Sequence, residues 1–354
     1  MTPLERTLTA LSHREPDRVP YFPLPTMHGA RELGLSIEEY FSRAENIIEG
    51  QTRLVARYGG DCLSPFFYSS AEIEAWGGTT IFLPDGPPQC GRPILERAAQ
   101  IDHLHAPRIG DSASLEKMLK AIRGLKERFG DEYPVMGIVI APTSLPVMQM
   151  GFAHYLDLIA DDPERLEHLL ELNTGFTIAW GKAQLAAGAT ALCYSDPLSS
   201  PSMLPRALSA RLCLPIMRRC QQAFGAAMAV HMASGRVMPI LEDLAESSLA
   251  GVGVSALEDL AELKARAAGR VALMGNLNAI TMRHWSQQEA EREVKEAIRK
   301  AGRGGGFVLT DNHGEIPFQV PGEVLGFLRD AVARWGHYPL TWIDEEEEAA
   351  GRSA

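Results

Sequence analysis

The 354-residue sequence predicts a single α/β domain of the (β/α)₈ TIM-barrel class: eight parallel strands closed into a ring, each followed by a helix. Three observations carry that expectation. Short apolar runs alternate with longer amphipathic patterns, the order of parallel strands joined by helical crossovers. Eight such runs occur, which suits a closed barrel better than an open sheet. The last run, Phe307-Val-Leu-Thr310, opens abruptly into Asp311, Asn312, His313, Gly314 and Glu315. A barrel assembles its active site from the C-terminal ends of its strands, so ionisable side chains there read as chemistry. The same Asn-His-Gly also suits a tight turn.

In chain order the strands are expected at 20–23, 61–65, 135–140, 191–195, 228–232, 252–255, 271–274 and 307–310. Leu115, Met118, Leu119, Ile122 and Leu125 repeat with helical spacing and mark one buried helix face. Asp162 followed by Pro163 reads as an N-cap with proline at the first helical position, opening a helix through Leu170. Ser286-Gln-Gln-Glu289 is a capping box, and Gly302 ends the helix it starts. No Gly-x-Gly-x-x-Gly follows a strand; the cluster 302–306 precedes one, the wrong side for a phosphate loop. The proline- and glycine-rich stretch 79–108 reads as an insertion. Residues 1–343 are expected to form one domain and 344–354 an acidic, flexible tail.

Composition excludes several classes of function. A 45% hydrophobic, 22% charged chain is globular in character. Its net charge of −11, without a basic run, argues against nucleic acid as a partner. Five scattered cysteines without a Cys-x-x-Cys pair fit reduced thiols in the cytoplasm. The amino terminus lacks a secretory pattern, and no apolar stretch is long enough to span a membrane.

On the barrel reading, the residues just past each strand converge on one cleft. They are His28 after the first strand, Tyr68 and Glu72 after the second, Tyr194 and Asp196 at the fourth, and His231 at the fifth. Glu258 follows the sixth, Asn276 and Asn278 the seventh, and Asp311, His313 and Glu315 the eighth. Two histidines with carboxylates can run acid–base chemistry or ligate zinc. His313, His231, Asp196 and Asp311 are the expected catalytic groups. His28, Tyr68, Tyr194, Asn276, Asn278 and Glu315 are the expected substrate contacts, and His231, His313 and Glu258 the expected metal ligands. A histidine at a strand end is equally at home as a satisfied core residue.

The run Thr2-Pro-Leu-Glu-Arg-Thr-Leu to Arg18-Val-Pro20 resembles the opening of the uroporphyrinogen decarboxylase superfamily. So do Gly275-Asn-Leu-Asn278, Asn312-His-Gly-Glu-Ile-Pro317 and Val320-Pro-Gly-Glu-Val324. The likeness runs from about residue 2 to about residue 340 and implies a (β/α)₈ barrel. True decarboxylases of that superfamily carry an arginine-rich Met-Arg-Gln-Ala-Gly-Arg-Tyr signature after the first strand. Here the position reads Tyr21-Phe-Pro-Leu-Pro-Thr-Met-His-Gly-Ala-Arg31, with one arginine for a substrate of eight carboxylates. Tyr58-Gly-Gly-Asp61 and Ala71-Glu-Ile-Glu-Ala-Trp-Gly77 are similar to the corrinoid-dependent methyltransferase branch. Coenzyme M members of that branch bind zinc through a His-x-Cys on the fifth strand and a cysteine after the eighth. This chain has His231, then Ala233 and His313 where the cysteines belong, so the soft sulfur ligands for thiol activation are gone.

The resemblance therefore implies the methyltransferase of an O-demethylase system. Its substrate would be a small methoxylated aromatic compound, and its acceptor the cob(I)alamin of a separate corrinoid protein. Zinc is retained as a cofactor expectation and a homodimer as an expectation of assembly. A thiol methyltransferase using methylcobamide, or a decarboxylase acting on a tetrapyrrole, is the alternative.

Overall fold

The computed structural model describes residues 1–65 and 68–353. Its strands are β1 (Tyr21–Phe22), β2 (Thr80–Ile81), β3 (Gln89–Cys90), β4 (Met136–Ile140), β5 (Ala191–Ser195), β6 (Met228–His231), β7 (Gly251–Gly253), β8 (Ala272–Leu277) and β9 (Phe307–Asp311). Seven of them form one parallel sheet in the order β1-β9-β8-β7-β6-β5-β4. β2 and β3 pair antiparallel inside the stretch read as an insertion. The sheet is curled, because both of its edges bond to the same short segment. The Asp61 amide donates to the Tyr21 carbonyl on β1 at 2.7 Å, and Leu63 bridges Val135 beside β4.

Residues 61–65 were expected as a full strand, and here the structure corrects the sequence. The pairing is a single bridge, because side chains take its backbone partners. The Ser64 amide donates to Gln51 Oε1 at 3.0 Å, and the Tyr21 amide donates to Asp61 Oδ2 at 2.8 Å. A segment whose ladder bonds go to side chains cannot propagate as a strand.

Asp61 holds this corner. It is 1% exposed and accepts from Arg6 Nη1 at 2.6 Å and from Arg18 at 2.8 and 2.9 Å. Arg6 lies in the first helix, Pro3–Leu11, whose Thr2–Glu5 capping box sets its start. The clamp thus ties the amino-terminal helix, β1 and the bridging segment together at the N-terminal ends of the strands.

The helices follow the amphipathic pattern. Helix Ala113–Phe129 starts at its Ser112 cap and buries Leu115, Met118, Leu119, Ile122 and Leu125. Asp162 caps the helix Pro163–Ala186, which runs well past Leu170, and Ser286 opens Gln287–Ala301 with its capping box. The acidic segment expected as a flexible tail is helical, Thr341–Ser353. Arg303 pairs with Asp344 and Lys295 with Glu346, so cations of the preceding elements anchor the acidic face. Among the described residues no helix is long and apolar enough to cross a membrane.

Strand alternation decides which side chains face the centre. Met136, Ile138 and Ile140 of β4, Cys193 and Ser195 of β5, and Ala229 and His231 of β6 line the interior. Leu192 and Tyr194 face the other way and are fully buried in the helical layer.

Removing the Asp61 charge leaves two arginines without their buried partner, which typically costs about 3–5 kcal/mol. Asp61→Asn is therefore expected to lower the urea midpoint with little change in its slope. Equal midpoints for variant and wild type would show that the clamp contributes nothing.

Candidate active site

A cavity of about 240 Å³ opens at the C-terminal ends of the strands. Its walls are largely apolar, from Phe22, Leu24, Met136, Ile138, Ile140 and Met274, and its polar lining includes Ser195, Thr310, His231, His313 and Glu315.

His231 ends β6, in register with Ser195 on β5. Its Nδ1 accepts the Ala233 amide at 3.0 Å, which leaves the proton of the neutral ring on Nε2. The ring fits because two neighbours lack side chains. A Cβ on Gly253 would lie 2.3 Å from its Cδ2, and one on Gly314 would lie 3.0 Å from its Cε1. Enclosure disfavours the imidazolium, and the nearby His313 adds to the effect, so the pKa falls to about 4. His231 is half-buried and lines the cavity.

His313 sits on a turn set by Asp311, whose Oδ1 accepts the amides of His313 at 2.8 Å and Gly314 at 2.7 Å. Gly314 has φ +91, a conformation that a side chain resists. The ring reaches across to the loop after β6, with Nδ1 3.0 Å from Ser234 Oγ. Asp311 itself does not line the cavity. It is buried, its Oδ2 has no hydrogen-bond partner, and burial raises its pKa. Its part in the site is to shape the turn.

Glu315 closes the constellation. Thr26 Oγ1 donates to its Oε1, linking the loop after β1 to the loop after β9. Enclosure raises its pKa to about 7, with Asp311 adding to the rise. Near neutral pH this carboxyl therefore carries a proton it can give up.

Several expected site residues lie elsewhere. Asp196 is 1% exposed and held by the hydroxyls of Ser144 at 2.7 Å, Thr143 at 3.2 Å and Ser199, beneath the rim. Tyr194 points into the helical layer by strand alternation. His28 is buried against Phe318, with Nε2 3.0 Å from the Val320 carbonyl. Tyr68 meets Phe41 and Phe82 edge to face, and its hydroxyl donates to Glu74 at 3.3 Å. Glu72 is buried and accepts the Ile140 amide at 3.0 Å.

Asn276, Asn278 and Glu258 line a separate outer cleft with Trp285 and Lys300. Asn276 Nδ2 donates to the Ser255 carbonyl at 3.0 Å, and Asn278 Oδ1 accepts the Ile280 amide at 3.2 Å. The Glu258 carboxylate is taken up by the amides of Val237 and Met238, at 2.9 and 2.8 Å.

The expected metal set of His231, His313 and Glu258 therefore does not converge. Glu258 caps a turn outside the cavity, and His231 Nδ1 is already bonded to an amide. Among the described residues no group of three His, Cys, Asp or Glu side chains is arranged to hold a metal ion. These donors do not fit the zinc that the resemblance implies, so no chemical step is assigned to one.

The structure adds Cys193, Ser195, Thr310 and Ser234 to the site or its support. Cys193 and Ser195 share the inward parity of their strand, a period-two signal that the sequence already carried.

A curled, seven-stranded parallel sheet, a half-barrel, carries acid–base groups at the C-terminal ends of its strands, where enzymes of TIM-like fold place their chemistry. The chain belongs to the uroporphyrinogen decarboxylase (URO-D) family, whose model matches residues 2–335. It is 27% identical to the uroporphyrinogen decarboxylase of Alkalilimnicola ehrlichii, over 93% of each chain. It is 29% identical to that of Xanthomonas axonopodis pv. citri, over 93% of this chain and 97% of the relative. Among solved structures it is similar to a methyltransferase from Methanosarcina mazei. That likeness has a TM-score of 0.85 and 20% identity, covers 94% of this chain and 99% of the other, and establishes the shared fold.

The raised pKa of Glu315 has a definite sign in folding. A carboxyl raised from 4.5 to about 7 contributes stability that is fully present below pH 4.5 and is lost as pH rises through about 7. Glu315→Gln should therefore lose less unfolding free energy than wild type between about pH 5 and about pH 8. Parallel stability curves from denaturant titrations would place Glu315 in a water-like setting.

Proposed function

We propose that this protein is a methyltransferase that moves a methyl group from a small methoxylated aromatic compound to the cob(I)alamin of a separate corrinoid protein. We propose also that the segment 61–63 completes an eight-stave barrel around the cavity. The observation that carries the functional reading is the cavity lining: apolar strands, an acid–base rim and, among the described residues that line it, no arginine or lysine. At about 240 Å³ it lies below the range of about 300–1,000 Å³ usual for drug-sized ligands.

A substrate with eight carboxylates needs cations, since buried anions are held by bidentate guanidinium or ammonium groups. The arginine nearest in sequence to the family's signature, Arg31, is engaged elsewhere. Its Nη1 donates to the Val320 carbonyl at 2.9 Å, and its guanidinium lies 4.0 Å from the Phe318 ring centre. This weighs against the decarboxylase activity for which the curated relatives are named. Thiol methyl transfer lacks its sulfur ligands, and the cavity's Cys193 is pushed up to about 12 by burial, far from a thiolate.

Demethylating an ether breaks the methyl carbon–oxygen bond, and the electron pair stays on oxygen. An alkoxide or phenoxide leaves poorly unless a proton reaches it as the bond breaks. The corrinoid, when delivered by its carrier protein, supplies the nucleophile that accepts the methyl group. The protein's own residues prepare the oxygen. Glu315, which its raised pKa keeps mostly protonated below about pH 7, is the proton donor. His231 offers its Nε2–H as a fixed hydrogen-bond donor, and its low pKa keeps it neutral. His313, on the Asp311 turn, is the third polar group facing the reacting oxygen. The apolar walls orient the ring and lower the local dielectric, which strengthens these interactions.

The test is a methyl-transfer assay with cob(I)alamin on its carrier protein and a panel of methoxyarenes. His313→Ala should lower the rate by roughly 10²–10³-fold, with a smaller effect on substrate binding, because a hydrogen bond to the reacting oxygen matters most as charge develops there. Release of carbon dioxide from uroporphyrinogen, with no methoxyarene demethylated, would reverse the assignment.

A further inference from the structure

We propose that Ser234 is a positioning residue that fixes the ring tautomer of His313, so that Nε2 carries the proton facing the cavity. The role in catalysis rests on the acid-assisted methyl transfer proposed above; the tautomer does not.

A short chain of hydrogen bonds runs from Asn312 through Ser234 to His313. Asn312 Oδ1 accepts the Ala279 amide at 3.2 Å, which fixes the orientation of the side-chain amide. Asn312 Nδ2 must then donate to Ser234 Oγ, 3.2 Å away. The hydroxyl has one proton left to give and two acceptors within reach. The Asn312 carbonyl lies at 3.4 Å and already accepts the Ser234 amide at 2.9 Å. His313 Nδ1 lies closer, at 3.0 Å. The hydroxyl proton goes to Nδ1, and a neutral ring that accepts there carries its own proton on Nε2. His231 reaches the same tautomer through the Ala233 amide. The two rings of the cavity therefore both present Nε2–H.

Ser234 has φ +70, a left-handed conformation that favours glycine and carries a strain cost for serine. A serine at such a position gains nothing from its Cβ; what it adds over glycine is the hydroxyl. The Ser234 carbonyl also accepts the Ser255 hydroxyl at 2.8 Å. The loops after β6, β7 and β9 are thus joined at this residue.

The experiment compares wild type, Ser234→Ala and Ser234→Gly as full-length chains. Ring nitrogen shifts of ¹⁵N-labelled histidine are recorded at neutral pH, with His313 assigned through His313→Ala. Wild type is expected to show His313 with a protonated Nε2 and an acceptor Nδ1, and both variants a mixture of tautomers. Methyl-transfer kcat should fall about tenfold with KM changed less than about twofold, and Ser234→Ala should cost nothing further in the His313→Ala background. Glycine eases the backbone, so a merely conformational role predicts that Ser234→Gly is unharmed. It also keeps the test decisive should the alanine variant fold poorly. Wild-type His313 protonated on Nδ1, or variants that keep both tautomer and kcat, would overturn the proposal. If wild type transfers no methyl group at all, the function falls, while the ring spectra still decide the role of Ser234.

Discussion

The corner built on Asp61 is the constraint on which the rest of the molecule depends. A parallel sheet left with two free edges exposes unpaired amides and carbonyls along both. Here the edge strands are the two-residue β1 and the five-residue β4, and among the described residues the segment between them makes a single bridge. Three charge-assisted hydrogen bonds from Arg6 and Arg18 to one buried carboxylate do what the missing ladder does not. Because the clamp lies at the N-terminal ends of the strands, it contributes stability without occupying the face where the chemistry is placed. The cavity walls at Phe22, Leu24 and Met136 are held in position from below.

Above that floor, the site is governed by how little room and water it allows. Gly253 and Gly314 leave a slot just wide enough for the His231 ring. Enclosure then moves two titrating groups in opposite directions. It lowers His231 to about 4, which keeps the ring neutral, and raises Glu315 to about 7, which leaves the carboxyl a share of its proton near neutral pH. A proton-bearing rim over apolar walls suits a substrate whose charge appears only as its bond breaks. It is poorly suited to a polyanion. On this physical ground the proposed function parts from the activity named for the relatives that share 27–29% identity with the chain.

Much of this was legible in the sequence, and the reasons for the exceptions differ. Apolar runs located the seven sheet strands, because a parallel sheet is buried on both faces. The run at 61–65 was misread because Gln51 and the Asp61 carboxylate, distant or polar partners, replace its ladder bonds. His231, His313 and Glu315 were found from their places at strand ends, and they do share the cavity. Tyr194 was placed there wrongly, although the alternation Cys193, Tyr194, Ser195 already set it apart. Asn276, Asn278 and Glu258 follow their strands just as closely, yet they turn outward to cap neighbouring turns. Spacing along the chain does not encode that choice. Ser234 was overlooked because its role depends on Asn312 and His313, nearly eighty residues further along the chain.

The central claim is that a methyl carbon passes from an ether oxygen, held under His231, His313 and Glu315, to the corrinoid of a partner. A single-turnover reaction with a ¹³C-methoxyl-labelled arene tests it most directly, following the labelled carbon by NMR as the free phenol forms. The account predicts that label and phenol move together, one methyl resonance on cobalt for each phenol released, and only when this protein is present. Label that stays on the arene, while labelled carboxylates of a tetrapyrrole are released as carbon dioxide by the same preparation, would contradict it.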